Sequence, residues 1–148
     1  MTPQQRVESD LTAAMKAQDR EKVSTLRLLL AELKNERIKR RADLDEAAFV
    51  AVTRRAIRQR EEAAEQYRSG GRPELADRED REAALLAAYL PQQVGEDELR
   101  AAAQQVASEQ GLAGPSGIGP AMKAMLARFG SSADGATIQR IVREVLGK

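Results

Sequence analysis

The stretch Tyr89-Leu90-Pro91-Gln92-Gln93 separates two kinds of sequence. Before it, apolar residues recur at helical spacing over long runs. After it, the runs shorten and glycine interrupts them. Proline cannot continue a helix and pushes the preceding residue out of helical geometry, so Pro91 closes the helix that carries Leu86 and Leu90. Working back from this point, Gly70-Gly71 and Pro73 predict the end of one helix and the start of the next. That third helix carries Phe49, Val52, Ala56, Ile57, Ala63, Ala64 and Tyr67, and Asp43 with Glu46 reads as its capping box. A second helix runs from a cap at Asp19 to about Arg41, with Val23, Leu26, Leu29, Leu30 and Leu33 on one stripe. The first helix opens on Thr2 as cap, Pro3 and Gln5, and its apolar face is Val7, Leu11, Ala14 and Met15.

Working forward from Pro91, one helix spans about Glu96 to Gln110, with Leu99, Ala103 and Val106 inward. The stretch Gly111 to Pro120 reads as a constrained loop, followed by a short helix with Met122, Met125, Leu126 and Phe129. A last helix from about Gly135 carries Ile138, Ile141, Val142, Val145 and Leu146; Ser131, Ser132 and Asp134 before it read as caps. No segment alternates with the period of a strand. The expectation is an all-α protein, with a long-helix hairpin region over 1–92 and a compact three-helix unit over 93–148.

Composition narrows the chemistry. The chain has 148 residues, is 3% aromatic and has no tryptophan, so its core must be aliphatic and rich in alanine. Cysteine and histidine are both absent, which excludes disulfides, zinc held by Cys or His, and Ser-His-Asp or Cys-His catalysis. No apolar run approaches the ~20 residues of a membrane span. We expect no catalytic residues, no metal, no cofactor, no membrane association and a cytoplasmic location. Bulk charge gives no argument for nucleic acid, since 24 basic residues oppose 23 acidic ones. Distribution is more telling. From Lys34 to Arg60 nine bases face four acids, and from Glu61 to Glu82 four bases face eight acids.

Two groups of cations stand out in the basic half. Lys34, Arg37 and Arg41 fall on the stripe of Val23, Leu26 and Leu30, so the inward side of the second helix turns basic after Leu33. Either the helix outruns its packing partner and is simply solvated, or its tip grips phosphates. Arg54, Arg55 and Arg58 lie roughly opposite Phe49, Ala56 and Ala63 and are expected to be exposed. No aromatic residue interleaves with either group, and Tyr67 is expected in the core. Nucleic acid would therefore be met through backbone and shape, without base stacking. Lys123, Arg128, Arg140 and Arg143 are further exposed candidates near the C-terminus. Arg60 differs, because it sits on the apolar stripe, as do Glu79 and Glu82 on the fourth helix. A fold-back at Gly70-Gly71 sets Arg60 level with Glu82, which reads as an ion pair across the hairpin and less well as paired carboxylates for catalysis.

The C-terminal signals keep a definite order: the Pro91 junction, Glu98-Leu99, Gly119-Pro120-Ala121-Met122-Lys123, Ala133-Asp134-Gly135 and the apolar last helix. In the N-terminal half, Leu26-Arg27 to Glu36-Arg37-Ile38 and Arg58-Gln59-Arg60-Glu61-Glu62-Ala63 with Tyr67 complete the pattern. The whole chain resembles the GatB/YqeY family. That family comprises small free-standing proteins and the tail domain of the GatB component of the glutamine-dependent aminoacyl-tRNA amidotransferase. The resemblance implies a tRNA partner, alone or within an amidotransferase or aminoacyl-tRNA synthetase complex. Any carbon–nitrogen ligase activity would then belong to the complex. A helical protein–protein adapter is the competing reading, and an independent amide-forming or hydrolytic enzyme has no motif to support it.

Overall fold

The computed structural model describes residues 1–147. Among them the chain is all-helical, with seven helices and no strand. They are α1 (Pro3–Lys16), α2 (Arg20–Arg40), α3 (Glu46–Ser69), α4 (Pro73–Ala87), α5 (Glu96–Gln110), α6 (Pro115–Phe129) and α7 (Gly135–Leu146). By backbone proximity they form two compact units, Met1–Leu90 and a second from Pro91 onward.

In the first unit, local chemistry sets the helix ends. Thr2 and Gln5 make a reciprocal capping box on α1, with the Gln5 N–H donating to Thr2 Oγ1 at 3.1 Å and the Thr2 N–H to Gln5 Oε1 at 2.8 Å. Asp19 caps α2 by accepting from the Lys22 N–H at 3.1 Å. The cap of α3 is Asp45, which accepts from the Ala48 N–H at 2.8 Å, in place of the expected Asp43. Asp43 is taken up instead by Arg37, at 3.3 Å. The core gathers Val7, Leu26, Leu29, Leu33, Phe49, Val52 and Leu86. Tyr89 joins it, and its hydroxyl donates to the Asp10 carboxylate, tying the end of α4 to α1. Burial, then that hydrogen bond, hold the Tyr89 phenol above its ordinary ionisation range.

The second unit packs α5 and α6 against α7. Ile138, Ile141, Val142 and Leu146 form the buried stripe of α7, at the spacing of one helical face. They meet Leu99, Ala103, Met125 and Phe129. Here the structure departs from the expected loop: the stretch up to Pro120 is partly helical, because α6 already starts at Pro115 and contains Pro120. Pro115 supplies a favourable first helical residue, whereas Pro120, the sixth residue of α6, lies beyond the free N–H groups of the first turn and removes one hydrogen bond to the Ser116 carbonyl. Gly117 is buried, and a Cβ there would stand 3.1 Å from Leu112 Cβ and 3.4 Å from Leu146 Cδ1. Its missing side chain lets α6 approach the end of α7.

Candidate functional site

The buried stripe of α2 is Thr25, Leu26, Leu29, Leu33 and Glu36. It ends on an acid and not on the bases expected from the sequence. Glu36 is 8% exposed and accepts from Arg40 Nε at 3.2 Å, one turn further on. Lys34, Arg37 and Arg41 run alongside this stripe, on the flank shared with the half-buried Val23 and Leu30. There they line a cleft of about 480 Å³ with Ile38, Ala42 and Asp43. Lys34 and Arg41 are exposed, and Arg37 is half-buried in its pair with Asp43. Arg41 closes α2 in the left-handed conformation, φ 56° and ψ 34°, where glycine is the usual residue. Ile38 is 65% exposed between these cations.

The α3 arginines do not line that cleft. Arg55 and Arg58 are exposed as expected, but Arg54 is half-buried. The reason is the width of the α3 core face. Val50 and Thr53 are buried together with Phe49, Val52 and Ala56, so the arc reaches the flank on which Arg54 sits. Tyr67 is also corrected: at 36% exposure it stands outside the core, one turn from the Gly70-Gly71 end of the helix.

The hairpin of α3 and α4 brings Arg60 to both acids. Arg60 lies 3.6 Å from Glu82 and 3.8 Å from Glu79, and Arg78 reaches Glu82 at 3.4 Å. Arg60 Nε and Glu79 Oε2 are buried with no hydrogen-bond partner, so this ion pair is held at longer than hydrogen-bond distance. Burial, then the neighbouring Glu82 carboxylate, raise the Glu79 carboxyl above its ordinary value. Nearer the turn, Arg68 pairs with Asp77 and Asp80. These charges pair across the two helices and set the register of the hairpin.

In the second unit Lys123, Arg140 and Arg143 are exposed. Arg140 is committed to Glu96 and to Glu144, and Arg100 joins the same chain of charges through Glu144 at 3.1 Å. Arg100, then Arg140, lower the Glu144 carboxyl below its ordinary value. Arg128 stacks its guanidinium over the Phe129 ring at 4.9 Å. Sequence reasoning missed Glu36 and the Arg140 network, because each is fixed by a partner on another turn or another helix.

Fold and site together define a small all-helical protein that carries cation clusters on helix surfaces. Among the described residues, no group of His, Cys, Asp or Glu side chains is arranged to hold a metal, and no helix is long and apolar enough to cross a membrane. The chain belongs to the YqeY family: residues 4–146 match the family described as Yqey-like protein. It is also similar to Altered inheritance of mitochondria protein 41, mitochondrial, from two fungi. Identity is 35% over 85 residues for the Eremothecium gossypii protein, covering 57% of this chain and 46% of the relative. For the Lachancea thermotolerans protein it is 34% over 87 residues, covering 58% and 46%. The chain thus spans about half the length of these curated relatives. Their names overturn the cytoplasmic location expected from the sequence. The feature behind that expectation, the lack of an apolar run of membrane-spanning length, carries no cellular address.

Proposed function

We propose that the protein is a tRNA-associated accessory factor that holds RNA by its phosphates and does not itself catalyse. The observation that carries this reading is the α2 tip, where exposed Lys34 and Arg41 flank one cleft. The C-terminal end of a helix carries a partial negative charge of ~0.5, so any phosphate attraction must come from these side chains. Arg37 contributes less than its neighbours, since Asp43 already neutralises part of its charge. Arg55 and Arg58 offer a second set of contacts on α3, with Arg54 half-buried beside them. Lys123 and Arg143 offer a third, with Arg140 already paired. The resemblance to the amidotransferase tail domain supplies tRNA as the polyanion. Any carbon–nitrogen ligase chemistry would reside in a partner complex of the amidotransferase or aminoacyl-tRNA synthetase kind.

Fluorescence anisotropy with labelled tRNA over a range of salt tests this. The expected result is affinity that falls steeply as salt rises, with a log–log slope that drops by about 0.7–0.9 for each phosphate contact removed. Lys34→Glu with Arg41→Glu should weaken binding across tRNA species more than Arg37→Glu alone. Binding absent at moderate salt, or indifferent to charge reversal at Lys34, Arg41, Arg55 and Arg58, would favour the adapter reading.

A further inference from the structure

A second surface of interest lies away from the cation clusters, at the corner where α1 hands over to α2. An open groove of about 790 Å³ is lined there by Met15, Gln18, Arg20, Val23, Arg27 and Leu28. Met15 is 50% exposed and Leu28 46%. The apolar face read from the sequence counts Met15 as an inward member of α1. Instead α1 buries only Val7 and Ala14, and the thioether is left on the surface. Two large apolar side chains sharing one groove differ from single exposed residues, which are common and need no explanation.

The rim is charged in one sense. Arg20 and Arg27 are seven residues apart on α2, which places them on one line about 10 Å apart along the helix axis. Neither guanidinium is engaged in an ion pair or hydrogen bond among the described residues. Glu21, the nearest acid on the helix, is already held by Arg81 at 3.0 Å. The groove ends at Gln18, a non-glycine residue in the left-handed region at φ 57°. Its N–H donates to the Met15 carbonyl at 3.1 Å, and the Asp19 N–H to the Ala14 carbonyl at 3.0 Å. Glycine would hold this turn with less strain, whereas glutamine puts a side-chain amide at the groove's end.

We propose that this groove docks an amphipathic helix of a partner protein that carries carboxylates along one edge of an aliphatic stripe. Aliphatic side chains fill the floor over Met15, Val23 and Leu28, and carboxylates two turns apart meet Arg20 and Arg27. Methionine and leucine suit such a seat because they adapt to the side chains that enter. A second copy of this chain would bring the same two arginines and no carboxylate to the groove, which makes it a poor occupant. The acids of this chain's own α4 are poor occupants, since Asp77, Asp80, Glu79 and Glu82 are already paired within the hairpin. RNA phosphates could meet the arginines but would leave the aliphatic floor uncovered. Docking here does not depend on whether tRNA binds elsewhere.

The test is methyl NMR on the full chain, titrated with a synthetic helical peptide. The probe bears leucines at positions i+1, i+4 and i+8 and glutamates at i and i+7, which places the carboxylates along one edge of the apolar stripe; a control peptide replaces the glutamates with lysines. The expected result is saturable movement of the Met15, Val23 and Leu28 methyl signals, with the glutamate peptide binding at least about tenfold more tightly than the control. Arg20→Glu with Arg27→Glu should remove that preference, and Leu28→Glu should weaken both peptides while thermal melting stays unchanged. Equal affinity for the two peptides, movement confined to other methyls, or no saturation at millimolar peptide would overturn the proposal. So would RNA that shifts the same methyls in competition with the peptide.

Discussion

Arg41 combines a backbone strain with a side chain at the basic cleft. Holding a residue with a Cβ at φ 56° costs roughly 1 kcal/mol, which glycine avoids. Arg41→Gly should therefore raise stability by about 1 kcal/mol in denaturant unfolding while weakening tRNA binding. A loss of both would show that the guanidinium supports the fold. At the α3–α4 interface, Arg60→Met leaves Glu79 and Glu82 facing each other, with Arg78 still paired to Glu82. The expected loss is about 2–3 kcal/mol by chemical denaturation, smaller than for a fully isolated buried carboxylate because Arg78 remains. Glu79 makes a pH-dependent contribution. A carboxyl that holds its proton more tightly when folded contributes stability at acidic pH, and loses it as pH rises through its raised folded value. Glu79→Gln should thus raise the melting temperature at neutral pH, and the gain should shrink in mildly acidic buffer. An equal gain at both pH values would assign the effect to packing and not to ionisation.

Among the elements, α3 and α4 show how far residue patterns reach. Gly70-Gly71 and Pro73 fix where the hairpin turns, and equal spacing about that turn brings Arg60 level with Glu82; both were legible in the sequence. The width of the α3 core face was not, because helical periodicity marks the centre of a buried arc better than its edges. Arg54 and Tyr67 sit at positions where the neighbouring helices decide exposure: Arg54 is half-buried where exposure was expected, and Tyr67 is exposed where burial was expected. Thr25, Glu36 and Asp45 escaped notice for a related reason, since a polar residue becomes buried or a cap only when a partner group meets it. The start of α6 was hidden by composition: four glycines and two prolines between Gly111 and Pro120 signal a loop, yet α6 begins at Pro115. Gly117 is there for contact, so Gly117→Val should drive a side chain into Leu112 and Leu146 and cost about 1–3 kcal/mol of stability. An unchanged melting temperature would show that α6 and α7 can separate without loss.

For the molecule as a whole, the fold class and the family were readable, since helical periodicity and the order of the motifs extend over nearly every residue. The candidate site was readable only as a set of cations. No pattern along the chain reveals that Arg140 is engaged by Glu96 and Glu144, that Arg37 is partly neutralised, or that Met15 and Leu28 share a groove. These depend on which surfaces the folded chain brings side by side. The distribution of the tyrosines has a practical optical consequence. Both of them, Tyr67 and Tyr89, lie before Pro91, and the chain has no tryptophan. Near-ultraviolet absorbance and intrinsic emission therefore report on the N-terminal unit almost alone, with the buried Tyr89 beside Asp10 as the responsive chromophore. Far-ultraviolet dichroism, by contrast, sees the helices of both units. A melt followed in both wavelength ranges separates the two signals without any label.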